Sequence, residues 1–309
     1  MATSDPMRAL AGFIMGSRLR AMLVAATSAV LALLAPPFTA PLSYIGGAAV
    51  GLVCLRAGPW QAALVMTGAA AGTAILARLV TGHAVPVVLA ALFLWVPVAL
   101  VAWVLRYTVS LARAVQTAAL VGLLVVVGVY AIHGDPAGWW HHLLKPVLEP
   151  ALKQSGSGAS PEQVLTEVAR LMTGVAAAAL VLGLMVCLLL ARWWQALLYN
   201  PGGFRREFHA LRMDPASGWI TLAVVFAAAA GQGSVLGTVA VQIAMVLLIM
   251  YALTGLALAH AAVATYRAHV AWLVGLYVAL IVLRPTVVLL ALVGLLDAWF
   301  DFRRRLPAQ

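Results

Sequence analysis

Three groups of polar residues in this chain have the types and spacing to do chemistry. Asp297 carries a carboxylate one helical turn before Asp301, and Arg304 and Arg305 fall three and four residues beyond Asp301. In apolar surroundings an ionisable group is costly and therefore a functional candidate. This one reads either as a proton-carrying carboxylate or as an ion-pair ladder that fixes a helix end. Thr238 and Gln242 sit one turn apart, with Gln232 and Ser234 just before them, a polar stripe able to face a cavity or to hydrogen-bond a neighbouring helix. Arg284, followed by Pro285, interrupts a long apolar stretch; its guanidinium can receive an anionic substrate or lipid headgroup, or snorkel to an interface. Arg78 with His83 carries the same two readings. Thr238, Gln242, Arg284 and Asp297 are thus the candidate ligand-binding residues.

Other familiar chemistries are missing. Ser234 and His260 superficially suggest a serine–histidine dyad, but 26 residues of one helix at 1.5 Å per residue hold them ~39 Å apart. His141 and His142 are adjacent, so on a helix they diverge by about 100° and form no i, i+4 metal pair. Cys54 and Cys187 lie inside apolar runs without a zinc-ligand partner set. No phosphate-binding Gly-x-x-x-x-Gly-Lys-Ser/Thr loop, dinucleotide fingerprint or His-Glu-x-x-His occurs. The expectation is a non-enzyme with no catalytic residue, metal or cofactor, in which ATP hydrolysis would belong to another chain.

The elements that position these residues follow from composition. Of 309 residues 64% are hydrophobic and 9% charged, and the mean hydropathy is +1.04. Too little charge is available to clothe a soluble globule, and the apolar residues come in long runs, which indicates an integral membrane protein. The net charge of +10 is not gathered on a water-exposed domain, so no nucleic-acid partner is expected. Runs at 21–35, 41–55, 60–78, 84–105, 114–132, 171–191, 217–232, 235–259, 268–283 and 285–302 predict an all-α polytopic bundle of about ten spans, eight at the least. The first run, behind Arg8, Arg18 and Arg20, resembles a signal peptide but lacks its cleavage region and reads as a retained helix. Both termini in the cytoplasm leave only Arg78, Lys145, Lys153, Arg170 and Arg284 outside, so that 14 of the 19 Lys+Arg lie inside.

Two connections are long. In 133–170, Trp139 and Trp140 favour the headgroup level, Pro146 and Pro150 are expected to break any single helix, and Ser160-Pro161-Glu162-Gln163 opens one that runs into the next span. In 196–216, Asn200-Pro201-Gly202-Gly203 is a turn, and Phe204, Phe208 and Leu211 predict a short interfacial helix whose Arg205, Arg206 and Arg212 face lipid headgroups. The expected division is 1–195, this connection, and 217–309.

Small residues recur at four-residue spacing: Ala21, Ala25 and Ala29, then Gly47 with Gly51, Gly68 with Gly72, and Gly233 with Gly237. Such faces let helices approach closely, for internal packing or for a partner, and the alanine face is the expected docking surface. The succession of this helix, Pro36-Pro37, Gly46-Gly47-Ala-Ala-Val-Gly51 and the Gly58-Pro59 turn resembles the membrane-embedded S components of energy-coupling-factor vitamin transporters over 1–195. The segments Ala191–Met213, Gly255–His260 and Gly294–Arg305 resemble the YybS-like family of bacterial membrane proteins over nearly the whole chain. This resemblance implies an S-component-like first half with extra C-terminal spans in a bacterial cytoplasmic membrane, and carries over no activity or site residue. Two functions are expected in competition: binding of a small molecule or lipid and participation in its transport with a protein partner, or a non-transporting scaffold of envelope machinery.

Overall fold

The computed structural model describes residues 5–34, 39–154, 160–283 and 285–305. Among these, every regular element is helical, and the contacts divide the chain into two units, 1–118 with 182–211 and 119–181 with 212–309. The division differs from the expected one, because 119–181 groups with the C-terminal helices rather than with the first bundle.

The first unit contains α1 (Pro6–Gly16), α2 (Arg18–Leu31), α3 (Leu42–Ala57), α4 (Pro59–Thr81) and α5 (Val85–Thr108). Local chemistry fixes their ends. Asp5 accepts from the Met7 N–H ahead of Pro6, Ser17 accepts from the Arg20 N–H, and left-handed Gly82 closes α4. α1 was not expected from the sequence; it bends 119° into α2 at Ser17. Residues 46–55 of α3 are all buried, the pattern of a helix enclosed by neighbours. Glycines permit that enclosure: a Cβ at Gly46 would lie 3.1 Å from the Ala25 carbonyl oxygen, and one at Gly47 2.6 Å from Cys187 Sγ. The expected docking face takes part in this enclosure. Ala21 and Ala25 have no exposed surface, Ala26 meets Gly72, and Ala29 is half-buried, so the alanine face is spent on packing inside its own unit.

Two helices contribute to both units, α6 (Leu111–His133) and the 39-residue α8 (Pro161–Tyr199); between them runs α7 (Ala137–Gln154). Pro146 and Pro150 do not break α7. Each removes one N–H, but the carbonyls so freed, of His142 and Pro146, belong to exposed residues and need no protein partner. The Ser160 cap is formed, its Oγ accepting from the Gln163 N–H at 3.3 Å. The short helix expected after Asn200 is α9 (Gly203–His209), with Phe208 buried and stacked on Phe204.

The second unit adds α10 (Pro215–Ala230), α11 (Val235–Thr265), α12 (Ala271–Val282), α13 (Pro285–Phe300) and a 3-10 turn, Phe302–Arg305. Its closest crossing joins α11 to α13. A Cβ at Gly255 would strike the Leu290 carbonyl, and one at Gly294 would strike that of Tyr251, so the two helices meet backbone to backbone.

All ten apolar runs expected from the sequence fall on helices, but their lengths give fewer spans. Among the described residues five, α4, α5, α6, α8 and α11, are long and apolar enough to cross a membrane; counting the bent pairs α1–α2 and α12–α13 as one span each gives up to seven. α3 and α10, at 16 residues, reach about 24 Å at 1.5 Å per residue, short of a ~30 Å hydrocarbon core. Large apolar side chains such as Leu79, Phe226, Leu236 and Ile281 are more than 70% exposed, a surface suited to lipid rather than water. By length and composition these helices are compatible with a multi-pass membrane protein.

Candidate functional site

The polar stripe expected on α11 begins where the chain turns tightly out of α10. Gly233 holds φ 83°, which a side chain would strain, and Ser234 caps α11 through the Gly237 N–H at 3.1 Å. The carbonyl of Gly231 folds against Gly237, where a Cβ would collide. Beside this turn lies a cavity of about 280 Å³, lined by Arg170 and Leu171 of α8, Ala228 of α10, Gln232 and Gly233 of the turn, and Gly237, Thr238 and Val241 of α11.

One turn below Thr238, Gln242 is completely buried. Its Nε2 donates to the Tyr130 hydroxyl and to the Arg170 backbone carbonyl, both at 2.9 Å. Its Oε1 has no hydrogen-bond partner among the described residues. Gly174 makes this possible: a Cβ there would lie 2.8 Å from the Gln242 Cα, so α8 and α11 touch at that level. Thr238 spends its hydroxyl on the Ser234 carbonyl at 3.1 Å. The guanidinium of Arg170 is half-exposed and pairs with Glu167 at 3.1 Å, leaving other N–H groups directed elsewhere. The arrangement combines the Arg170 guanidinium, already paired with Glu167, the N-terminal end of a 31-residue helix with its partial positive charge, and amide and hydroxyl groups. Such a lining can hydrogen-bond a small polar solute.

Asp297 stands in a different arrangement. It has no exposed surface, its Oδ1 accepts from the Phe302 N–H at 2.9 Å, and its Oδ2 is ion-paired with Arg303. Burial pushes Arg303 below the usual guanidinium pKa, a trend the Asp297 charge opposes. Asp301, at φ 45°, ends α13 and pairs with Arg304 at 2.9 Å and Arg212 at 2.8 Å. Arg212 also donates to the Asp297 and Ala298 carbonyls at 2.9 and 3.0 Å. Its expected role toward lipid headgroups is thereby corrected: a guanidinium closing two helix carbonyls and a carboxylate is a clamp on the α13 terminus. Each Asp297 oxygen is thus engaged once, and the carboxylate is sealed from the surface.

Arg284 lies outside the described residues. Arg78 donates to the Gly82 carbonyl at 2.6 Å, closing its own helix. Ser234 and His260 occupy opposite ends of α11, and His260 shares a 3.0 Å hydrogen bond with Tyr277. His141 meets Glu162 at 2.9 Å, and no group of three or more metal-ligating side chains converges among the described residues.

The structure thus brings Thr238 beside the cavity, buries Gln242 beneath it and sets Asp297 in an ion-paired helix end. Sequence reasoning missed Arg170 and Tyr130. Arg170 precedes the apolar run at 171 by one residue, a position that marks it as the last charge before the membrane core, and that signal was available. Tyr130 carried none, since its role depends on a residue 112 positions away.

No protein-family model, curated protein or solved structure matches the chain.

Proposed function

We propose that the chain is a cytoplasmic-membrane protein, with both termini on the cytoplasmic side, that binds a small polar solute bearing an anionic group in the cavity between α8, α10 and α11. It takes part in transporting that solute together with a partner that supplies the energy. The observation that carries this reading is the cavity itself: three helices of one unit enclose a polar space containing Arg170, Gln232 and Thr238. Small-molecule sites in helical bundles are commonly built between helices in this way. The partner follows from two features: the chain has no nucleotide-binding loop, and its one fully buried carboxylate is paired with Arg303. We also infer kinship with the YybS-like family, on the Ala191–Met213, Gly255–His260 and Gly294–Arg305 segments.

The second reading, a scaffold in envelope machinery, is favoured by one surface. Trp139, Leu143 and Val147 form an outward apolar stripe along α7, while Trp140 on the adjoining face donates to Thr173 at 2.8 Å. Purification in mild detergent followed by native mass spectrometry separates the two. Transport predicts a co-purifying anionic metabolite that is lost in Arg170→Gln. Scaffolding predicts a protein partner that survives Arg170→Gln and is lost in Trp139→Ser.

A further inference from the structure

A second cavity, in the first unit and independent of the site above, is an open cleft of about 170 Å³. Its walls include Leu105, Arg106 and Val109 at the end of α5, Arg192 and Gln195 of α8, and Glu207 of α9. Arg192 is fully arranged: Nε and Nη2 clasp the two oxygens of Glu207, and Nη1 donates to Gln195 Oε1 at 3.0 Å. Arg106 is not. It donates through Nη1 to the Leu55 carbonyl at 2.7 Å, and among the described residues no carboxylate pairs with it. A guanidinium has five N–H donors, so most of this exposed fork, at the cavity wall, is left without an ionic partner among the described residues.

The charge balance points the same way. Glu207 neutralises Arg192, which leaves the full charge of Arg106 against the partial charges of the α3 and α5 carbonyl ends, and a full charge outweighs those half-charges. The stretches of chain around the wall residues, 55–56, 105–113 and 192–207, also carry Arg56, Arg113, Arg205 and Arg206, and no carboxylate other than Glu207. The backbone at the rim is strained as well. Val109 holds φ 51°, the left-handed region that a β-branched residue rarely enters, and strain of this kind gathers at ligand clamps.

We propose that this cavity binds a phosphate group, either the headgroup of an acidic phospholipid or a free phosphate, with Arg106 as its principal donor and the Arg192–Glu207–Gln195 cluster as the fixed wall. Guanidinium forks match phosphate oxygens, and basic pockets between membrane helices hold acidic headgroups.

The test uses the full chain in detergent, with phosphatidylglycerol, phosphatidylcholine and inorganic phosphate as probes and native mass spectrometry and thermal shift as readouts. Wild type is expected to retain phosphatidylglycerol over phosphatidylcholine, and Arg106→Gln to weaken that retention about fivefold, the loss expected for one cation near an acidic lipid. Val109→Glu provides a second variant that does not disturb the Leu55 contact: Val109 is 83% exposed, and a carboxylate at the rim is expected to repel phosphate to a similar degree. Stabilisation by inorganic phosphate, lost in both variants, would assign the site to free phosphate; selectivity for phosphatidylglycerol with no phosphate effect would assign it to lipid. Equal retention of the two lipids with no response to phosphate, or a preference untouched by both variants, would overturn the proposal.

Discussion

The two units solve the same packing problem with different materials. In the first, buried polar side chains among the described residues are two hydroxyls, Ser28 and Thr73, and its glycines chiefly admit side chains: Met22 against Gly68, Cys187 against Gly47, Ala191 against Gly51. The second buries Thr173, Thr221, Gln242, Thr254 and Asp297, and its tightest glycines admit the backbone of another helix. Packing against side chains tolerates adjustment, because a methionine or cysteine can swing. A backbone crossing and a buried ion pair do not. The contrast assigns adaptability to the first unit and fixed polar geometry to the second, where the cavity beside Arg170 is found.

Four substitutions or conditions bear on that contrast. The largest loss is expected for Arg303→Met, which strands the fully buried Asp297 carboxylate and costs about 3–5 kcal/mol in reversible unfolding in detergent. Adding Asp297→Asn should recover much of it, and a neutral Arg303→Met would remove the buried pair from the account. Next, Gly255→Ala is expected to cost about 1–3 kcal/mol or more, since only a shift of α13 makes room, whereas Gly68→Ala should cost less because the end of Met22 can move. Equal losses at the two glycines would erase the distinction between the units. Gln242→Leu is expected to cost about 0.5–1.5 kcal/mol by removing the Tyr130 hydroxyl's amide partner and the extra bond to the Arg170 carbonyl, which keeps its own helical bond.

The smallest effect lies outside the spans. Hydrogen bonding and charge from Lys153 hold the Glu149 carboxyl below its ordinary pKa. The pair therefore supports the last turn of α7 above the ordinary carboxylate range and is lost as pH falls through the depressed value. Amide exchange in that turn should quicken on acidification in wild type and be independent of that transition in Lys153→Ala.

How much of this was legible in the sequence varied with the range of the interaction. Apolar runs and local caps placed the helices, because a twenty-residue apolar stretch and a Ser-Pro-Glu-Gln start act through neighbours in the chain. The span number was less legible, since a run shows how apolar a helix is and not where it bends; α1–α2 turns at Ser17 inside what reads as one N-terminal approach. The helical alanine spacing gave a close-packed face correctly but not its occupant, which proved to be Gly46 and Gly72 of the same unit. At the polar sites, Asp301 with Arg304 follows from spacing, while Arg212 reaches the same carboxylate from 89 residues away and no periodicity could announce it.

The central claim, that the α8–α10–α11 cavity holds an anionic solute, is met most directly by filling it. Thr238 lines the space and is half-buried, so Thr238→Trp occupies the volume without touching the Gln242 bonds. Native mass spectra of wild type and Thr238→Trp, purified side by side, should show a small anionic molecule released from the first and absent from the second, with equal folding by circular dichroism. An identical set of bound small molecules in the two proteins, or none in either, would contradict the claim.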